Sequence, residues 1–116
     1  MKDTKLIQTL KTFSKEDAKN FEKFIASPYF NKGRNYIPLL NELKKFSPSF
    51  DNENLTSEYL YKKIYPSRKF NKQVMWNQVS QLEKLAIKFL LQTALDNSPM
   101  ERFLLIFDEL SKRNLD

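Results

Sequence analysis

The sequence predicts an all-α fold, a compact bundle of five to six helices around a long central helix at about 71–95, and three observations carry that expectation. The first is the longest periodic stretch of the chain. Met75, Val79, Leu82, Ala86 and Phe89 recur at steps of four, three, four and three, which places them on one side of an α-helix. Leu85 and Leu90 flank this stripe, Gln78 narrows it at one edge, and Gln73, Asn77, Ser80, Lys84 and Lys88 form a polar stripe opposite. Trp76, one step round from Met75, is expected largely buried at the apolar margin. The second observation is that a single Gly leaves few places for positive-φ backbone. The third is missing hairpin chemistry: no Asn-Gly or Asp-Gly pair and no alternating run of β-branched residues.

The elements follow in order. Asp3 is expected to cap a first helix whose apolar positions are Leu6, Ile7 and Leu10, ending near Thr12. Ser14 caps a second, with Asp17 in the place of a capping box and Ala18, Phe21, Phe24 and Ile25 turned inward. Ser27-Pro28 stops it, since the residue before proline is pushed out of the helical region. Lys32-Gly33 reads as a turn. Asn35 caps a third helix, where Pro38 is tolerated because first-turn amides have no intrahelical partner; Ile37, Leu40, Leu43 and Phe46 give its buried side, and Ser47-Pro48 ends it.

Residues 49–54 read as a polar loop. Thr56 caps a short fourth helix anchored by Tyr59, Leu60 and Ile64 and closed by Pro66. Asn71 opens the long fifth helix. After the turn at Asp96-Asn97-Ser98, the run Ser98-Pro99-Met100-Glu101 combines Pro at the first helical position with Glu at the third, the signature of a sixth helix. That helix is expected to bury Phe103, Ile106, Phe107 and Leu110 and to seat near Leu90, Leu91 and Leu95. It meets no proline or glycine stop at Asn114-Leu115-Asp116, which suggests a fragment of a longer helical chain.

Length and composition set the outer limits. At 116 residues the chain is read as one domain over 1–116, long enough to bury about two-thirds of its unfolded surface. Ten Phe and five Tyr make that core aromatic. With no Cys and no His there is no thiolate nucleophile, no His base, no disulfide and no zinc site of the usual kind, and no stretch has the spacing of a calcium loop. Isolated carboxylates such as Glu83 and Asp108 form no catalytic constellation. The expectation is therefore a non-enzyme with no catalytic residues, cofactor or metal. No signal peptide and no membrane-length apolar run appear, so the chain is expected to be cytoplasmic and without a membrane partner.

The net charge of +6 is unevenly placed. Residues 1–50 carry ten basic and five acidic side chains, 51–72 five and three, and 73–116 five and six. The densest basic group is Lys62, Lys63, Arg68, Lys69 and Lys72, interleaved with Tyr61, Tyr65 and Phe70. Such a group suits a phosphate backbone, but a solvated helix end that keeps a small domain soluble is the preferred reading. A short helix, a tight loop and a long helix with a polar outer stripe also give the layout of a helix-turn-helix over 57–90, with Gln73, Asn77, Ser80 and Lys84 as candidates to face base edges.

The run from Leu55 to Pro66 followed by the long helix is loosely similar to the winged-helix part of bacterial transcriptional activators. It departs from them in continuing to Ser98-Pro99 and another helix where those domains carry a β-hairpin wing. A second resemblance spans most of the chain. Phe13-Ser-Lys-Glu-Asp-Ala-Lys-Asn-Phe-Glu-Lys-Phe-Ile-Ala-Ser-Pro-Tyr-Phe-Asn-Lys, then Leu55-Thr before a helix ending Ile64-Tyr65-Pro66, then Phe70-Asn71, resembles a family of uncharacterised bacterial all-helical proteins. That resemblance implies an N-terminal domain of a longer helical polypeptide and no known activity. Its most specific piece, Ser27-Pro28-Tyr29-Phe30-Asn31, reads either as a binding loop or as a structural corner whose two rings plug the core, the corner being preferred.

Two functions follow as expectations. The first is a non-enzymatic helical interaction module whose partner is protein, either further helices of a longer chain or a partner subunit. The alternative is a nucleic-acid-binding domain using the helix-turn-helix-like segment.

Overall fold

The computed structural model describes residues 1–31 and 33–115, so Lys32 of the expected Lys32-Gly33 turn lies outside the described residues. The fold is all-α, with six helices and no strand among the described residues: α1 (Lys5–Lys11), α2 (Lys15–Ala26), α3 (Ile37–Lys44), α4 (Ser57–Ile64), α5 (Lys72–Asp96) and α6 (Pro99–Lys112). The long helix thus falls within one residue of its predicted bounds. The chain divides into two units, Met1–Ala86 and Ile87–Asp116. Residues 72–86 of α5 belong to the first and 87–96 to the second.

In the first unit, local chemistry sets each helix start. Thr4, not Asp3, caps α1, its hydroxyl oxygen accepting from the Ile7 amide at 3.3 Å. Ser14 and Asp17 close a reciprocal capping box at 3.0 and 3.1 Å, so two amides that α2 leaves without helical partners are satisfied. Thr56 caps α4 and Asn71 caps α5 in the same way, accepting from Tyr59 and Val74. α3 begins at Tyr36 without a side-chain cap, with Pro38 in its first turn; Asn35 accepts instead from the amide two residues on. Beside the end of α3, the Glu42 carboxylate accepts from Lys45 at 2.8 and 2.9 Å and so holds that ammonium above its usual range.

The core of this unit is aromatic and aliphatic. α2 packs on α3 and α3 on α4. Leu6, Ile7, Phe21, Leu39, Leu43, Leu55, Leu60, Met75 and Leu82 are completely enclosed. Phe13 meets Phe21 edge-on at 5.5 Å, and Phe46 meets Tyr59 at 5.9 Å, geometries that bring a positive ring edge to a negative ring face. Seven positions differ from the periodic reading. Leu39 is buried while Ile37 and Phe46 are only half-buried, and Tyr61 joins Leu60 inside α4 where Tyr59 and Ile64 are half-buried. Phe50, in the polar 49–54 stretch, is buried with φ 51°, a left-handed backbone that a bulky side chain rarely adopts. The Ser47–Pro48 peptide is cis.

The larger correction on α5 concerns its rotation. Its enclosed side runs through Met75, Gln78, Val79, Leu82, Leu85 and Ala86, so its centre lies toward Gln78 and Leu85. Trp76 therefore stands outside it and is 63% exposed, against the expectation of burial. Gln78 goes inside because its polarity is answered: its amide donates to the Tyr65 hydroxyl. A buried amide with a partner costs little, whereas an unpartnered one is expensive.

The second unit is built differently. Phe89 is its one buried residue among those described, and α6 has none. Pro99 occupies the first position of α6 as expected, but Ser98 makes no side-chain cap bond. The far end of α6 is more sharply defined than the sequence suggests. Asn114 adopts φ 59°, its amide donates to Ser111, and the Leu115 amide reaches back to the Leu110 carbonyl at 2.8 Å. This pair of bonds is a Schellman stop, with Asn supplying the left-handed residue usually given by Gly.

Candidate functional site

The basic segment folds into the α4–α5 connection of the first unit. α4 ends at Tyr65, whose amide donates to the Tyr61 carbonyl, and Arg68 donates back to the Tyr65 carbonyl at 3.1 Å, which tightens the loop. Tyr61 is buried; its ring lies 4.9 Å from Tyr65 and meets Phe70 edge-on at 5.4 Å. The aromatics between the basic residues thus knit the loop together, and the Tyr65 hydroxyl ties it to Gln78 of α5.

Lys62, Lys63, Arg68, Lys69 and Lys72 are all exposed. Among the described residues none of the five takes part in an ion pair. Lys63 lies 5.4 Å from the centre of the Tyr59 ring and Arg68 4.9 Å from that of Tyr65, contacts that hold the cations near the surface. On α5, Gln73, Asn77 and Lys84 are exposed and Ser80 half-buried, so the polar stripe faces solvent as its spacing predicted. The Gln73 amide donates to the Asn77 side-chain oxygen at 3.0 Å, so each has one polar group engaged before any base arrives. Exposed Trp76 was missed from this surface.

Ser27-Pro28-Tyr29-Phe30-Asn31 forms a hydrogen-bonded corner. The Asn31 amide donates to the carbonyls of Ile25 and Arg34 at 2.9 and 3.1 Å, and its oxygen accepts from the Gly33 amide at 3.1 Å. Phe30 stacks on Phe24 at 4.6 Å and Tyr29 stands edge-on to Phe30 at 5.4 Å. The two rings do not plug the core as expected: Tyr29 is 77% exposed and Phe30 sits at the surface. A cavity of about 210 Å³, lined by none of these five residues, opens among Leu10, Phe13, Ala18, Phe21, Leu40 and Phe50. It is smaller than the ~300 Å³ at which small-molecule sites begin.

The feature that sequence reasoning inverted is α6. Phe103, Ile106 and Phe107, expected inside, are more than half exposed, as are Met100, Leu104 and Leu105, and Leu110 is exposed as well. Ile87 and Leu91 of the same unit are also more than half exposed, and Leu90, an expected seat for α6, is exposed. A signal was present in the sequence: Leu105 lies on the charged side of α6, so apolar residues face both ways. Among the described residues no group of three or more Asp or Glu side chains is placed to hold a metal ion, and no helix is long and apolar enough to cross a membrane.

Comparison with known proteins finds no matching family model, no matching curated protein and no matching solved structure.

Proposed function

We propose that this chain is a non-enzymatic helical interaction module of the cytoplasm, and that its docking element is the apolar side of α6. One observation carries this: six large apolar side chains on that side, Met100, Phe103, Leu104, Ile106, Phe107 and Leu110, are exposed on a fourteen-residue helix. The largest apolar patch of an ordinary monomer is about 300–600 Å², and patches beyond that mark association surfaces. A helix with such a side is read by a partner through anchors at i, i+3, i+4 and i+7, the mode in which an amphipathic helix lies in an apolar groove. The resemblance to the N-terminal domains of longer helical proteins points the same way.

A second reading is favoured by the five exposed basic side chains, none in an ion pair among the described residues, beside the open Gln73–Asn77 surface, which suit nucleic acid. A gel-shift titration of duplex at two salt concentrations separates the readings, using the parent and a variant with Lys62, Lys63, Arg68, Lys69 and Lys72 all changed to Ala. The module reading expects no affinity beyond the nonspecific level, on the order of 10⁻⁴–10⁻⁶ M at physiological salt. Tight, salt-sensitive binding that the variant loses would overturn it. In parallel, a dye that fluoresces on open apolar surface is expected to bind the dilute parent, and to be lost with Phe103→Ser, Leu104→Ser and Phe107→Ser together.

A further inference from the structure

Resting on the reading of α6 as the docking element, we infer that its occupant is a second copy of this chain, joined by antiparallel α6–α6 pairing. Met100, Phe103, Phe107 and Leu110 follow at steps of three, four and three on one side of the helix. That order of steps is the same from either end. Laid antiparallel with their midpoints in register, two copies set Met100 against Leu110 and Phe103 against Phe107, each twice, as a two-fold axis requires. Leu104 and Ile106 exchange under the same operation and widen the seam on its flanks.

The rings are already arranged for this. Phe103 and Phe107 stack within the helix at 6.2 Å and 23°, so four rings would meet at the centre of the pair. No charge is desolvated along the seam. Asp108 and Glu109 lie off it and are paired within their own helix, with Lys112 at 3.2 Å and Arg113 at 3.0 Å, and Glu101 and Arg102 also lie outside it. Antiparallel packing also brings each helix N-terminus beside a C-terminus, where the macrodipoles attract; parallel packing would oppose them. Six exposed side chains of this size present on the order of 100 Å² each, so two copies bury about 1,200 Å², above the ~1,000 Å² of a specific interface.

Leu105 supplies the control, because it is as exposed as its neighbours yet lies on the other side of the helix. Sedimentation equilibrium over a concentration series is expected to show the 13.9 kDa chain passing to twice that mass. Phe103→Glu with Phe107→Glu should weaken the association by roughly a hundredfold or more, as loss of central interface anchors does, while Leu105→Glu should leave it unchanged. Circular dichroism checks that each variant keeps its helices. Because the chain has no Cys, orientation can be read by mixing a Met100→Cys copy with a Leu110→Cys copy under mild oxidation: linkage between the two kinds is expected, and linkage only within each kind would overturn the antiparallel pairing. A parent that stays monomeric while the Phe variants abolish dye binding would overturn the second-copy proposal and leave the module reading standing. A monomeric parent that binds no dye would overturn both.

Discussion

Two phenylalanines, Phe21 and Phe103, show how the two units of this molecule differ. In the first, Phe21 is fully enclosed and edge-on to Phe13; in the second, Phe103 is 60% exposed and stacked on an equally exposed Phe107. Both sit on amphipathic helices, α2 opened by a capping box and α6 by Pro99 without a side-chain cap. Amphipathic spacing therefore says which side of a helix is apolar and nothing about whether the chain itself covers that side. In the first unit, apolar residues from α1 to α5 answer one another. Along α6 none of the described side chains is buried.

The strongest way to break this comparison is to delete one ring from each unit. Phe21→Ala should cost about 3–5 kcal/mol, since it removes buried surface and leaves a cavity. Phe103→Ala, measured at high dilution, should stay within ~0.5 kcal/mol, as surface changes do. Denaturant melts followed by circular dichroism would check both, and equal losses would erase the distinction. A smaller effect tests how the first unit tolerates a polar group in its core. Tyr65→Phe strips Gln78 of its partner and should cost about 1–3 kcal/mol, much of it recovered when Gln78→Leu is added. An unchanged melt for Tyr65→Phe would mean that Gln78 is satisfied by other means.

The smallest effect sharpens the contrast through helix ends. Ser14→Ala removes half of the α2 capping box and should lower global stability by ~1 kcal/mol. Asn114→Ala strains the left-handed stop of α6 by about 1–2 kcal/mol. Its loss should appear as faster amide exchange in the last turn of α6, with the melt of the first unit unmoved. Slower exchange in α6 than in α2 would reverse the expected ranking.

Much of the architecture was legible because its causes are local. Capping at Ser14, Thr56 and Asn71, the stop at Ser27-Pro28 and the stripe of α5 depend on side chains acting a few residues away. Failures came where the cause lies elsewhere in the chain. Gln78 looks like an interruption until Tyr65 is placed beside it; with that partner Gln78 joins the enclosed side of α5, and Trp76 faces water. Phe50 looks like a loop residue until its left-handed backbone folds it inward. Asn114 looks like no stop until its φ is known. In the candidate site, exposure of the basic residues followed from charge alone. That the intervening tyrosines pack against one another, Phe70 and Gln78 needed the fold.

Trp76 is the chain's one tryptophan, and it stands outside the core. Its emission begins close to that of unfolded indole, so the commonest optical assay would watch the aromatic core of the first unit come apart and register almost nothing. The near-ultraviolet signal of Tyr61 and Tyr65 would have to report unfolding in its place. The same indole, sharing the outer surface of α5 with Gln73, is a label the protein already carries: any molecule settling on that surface would announce itself in colour and quenching, with no dye attached.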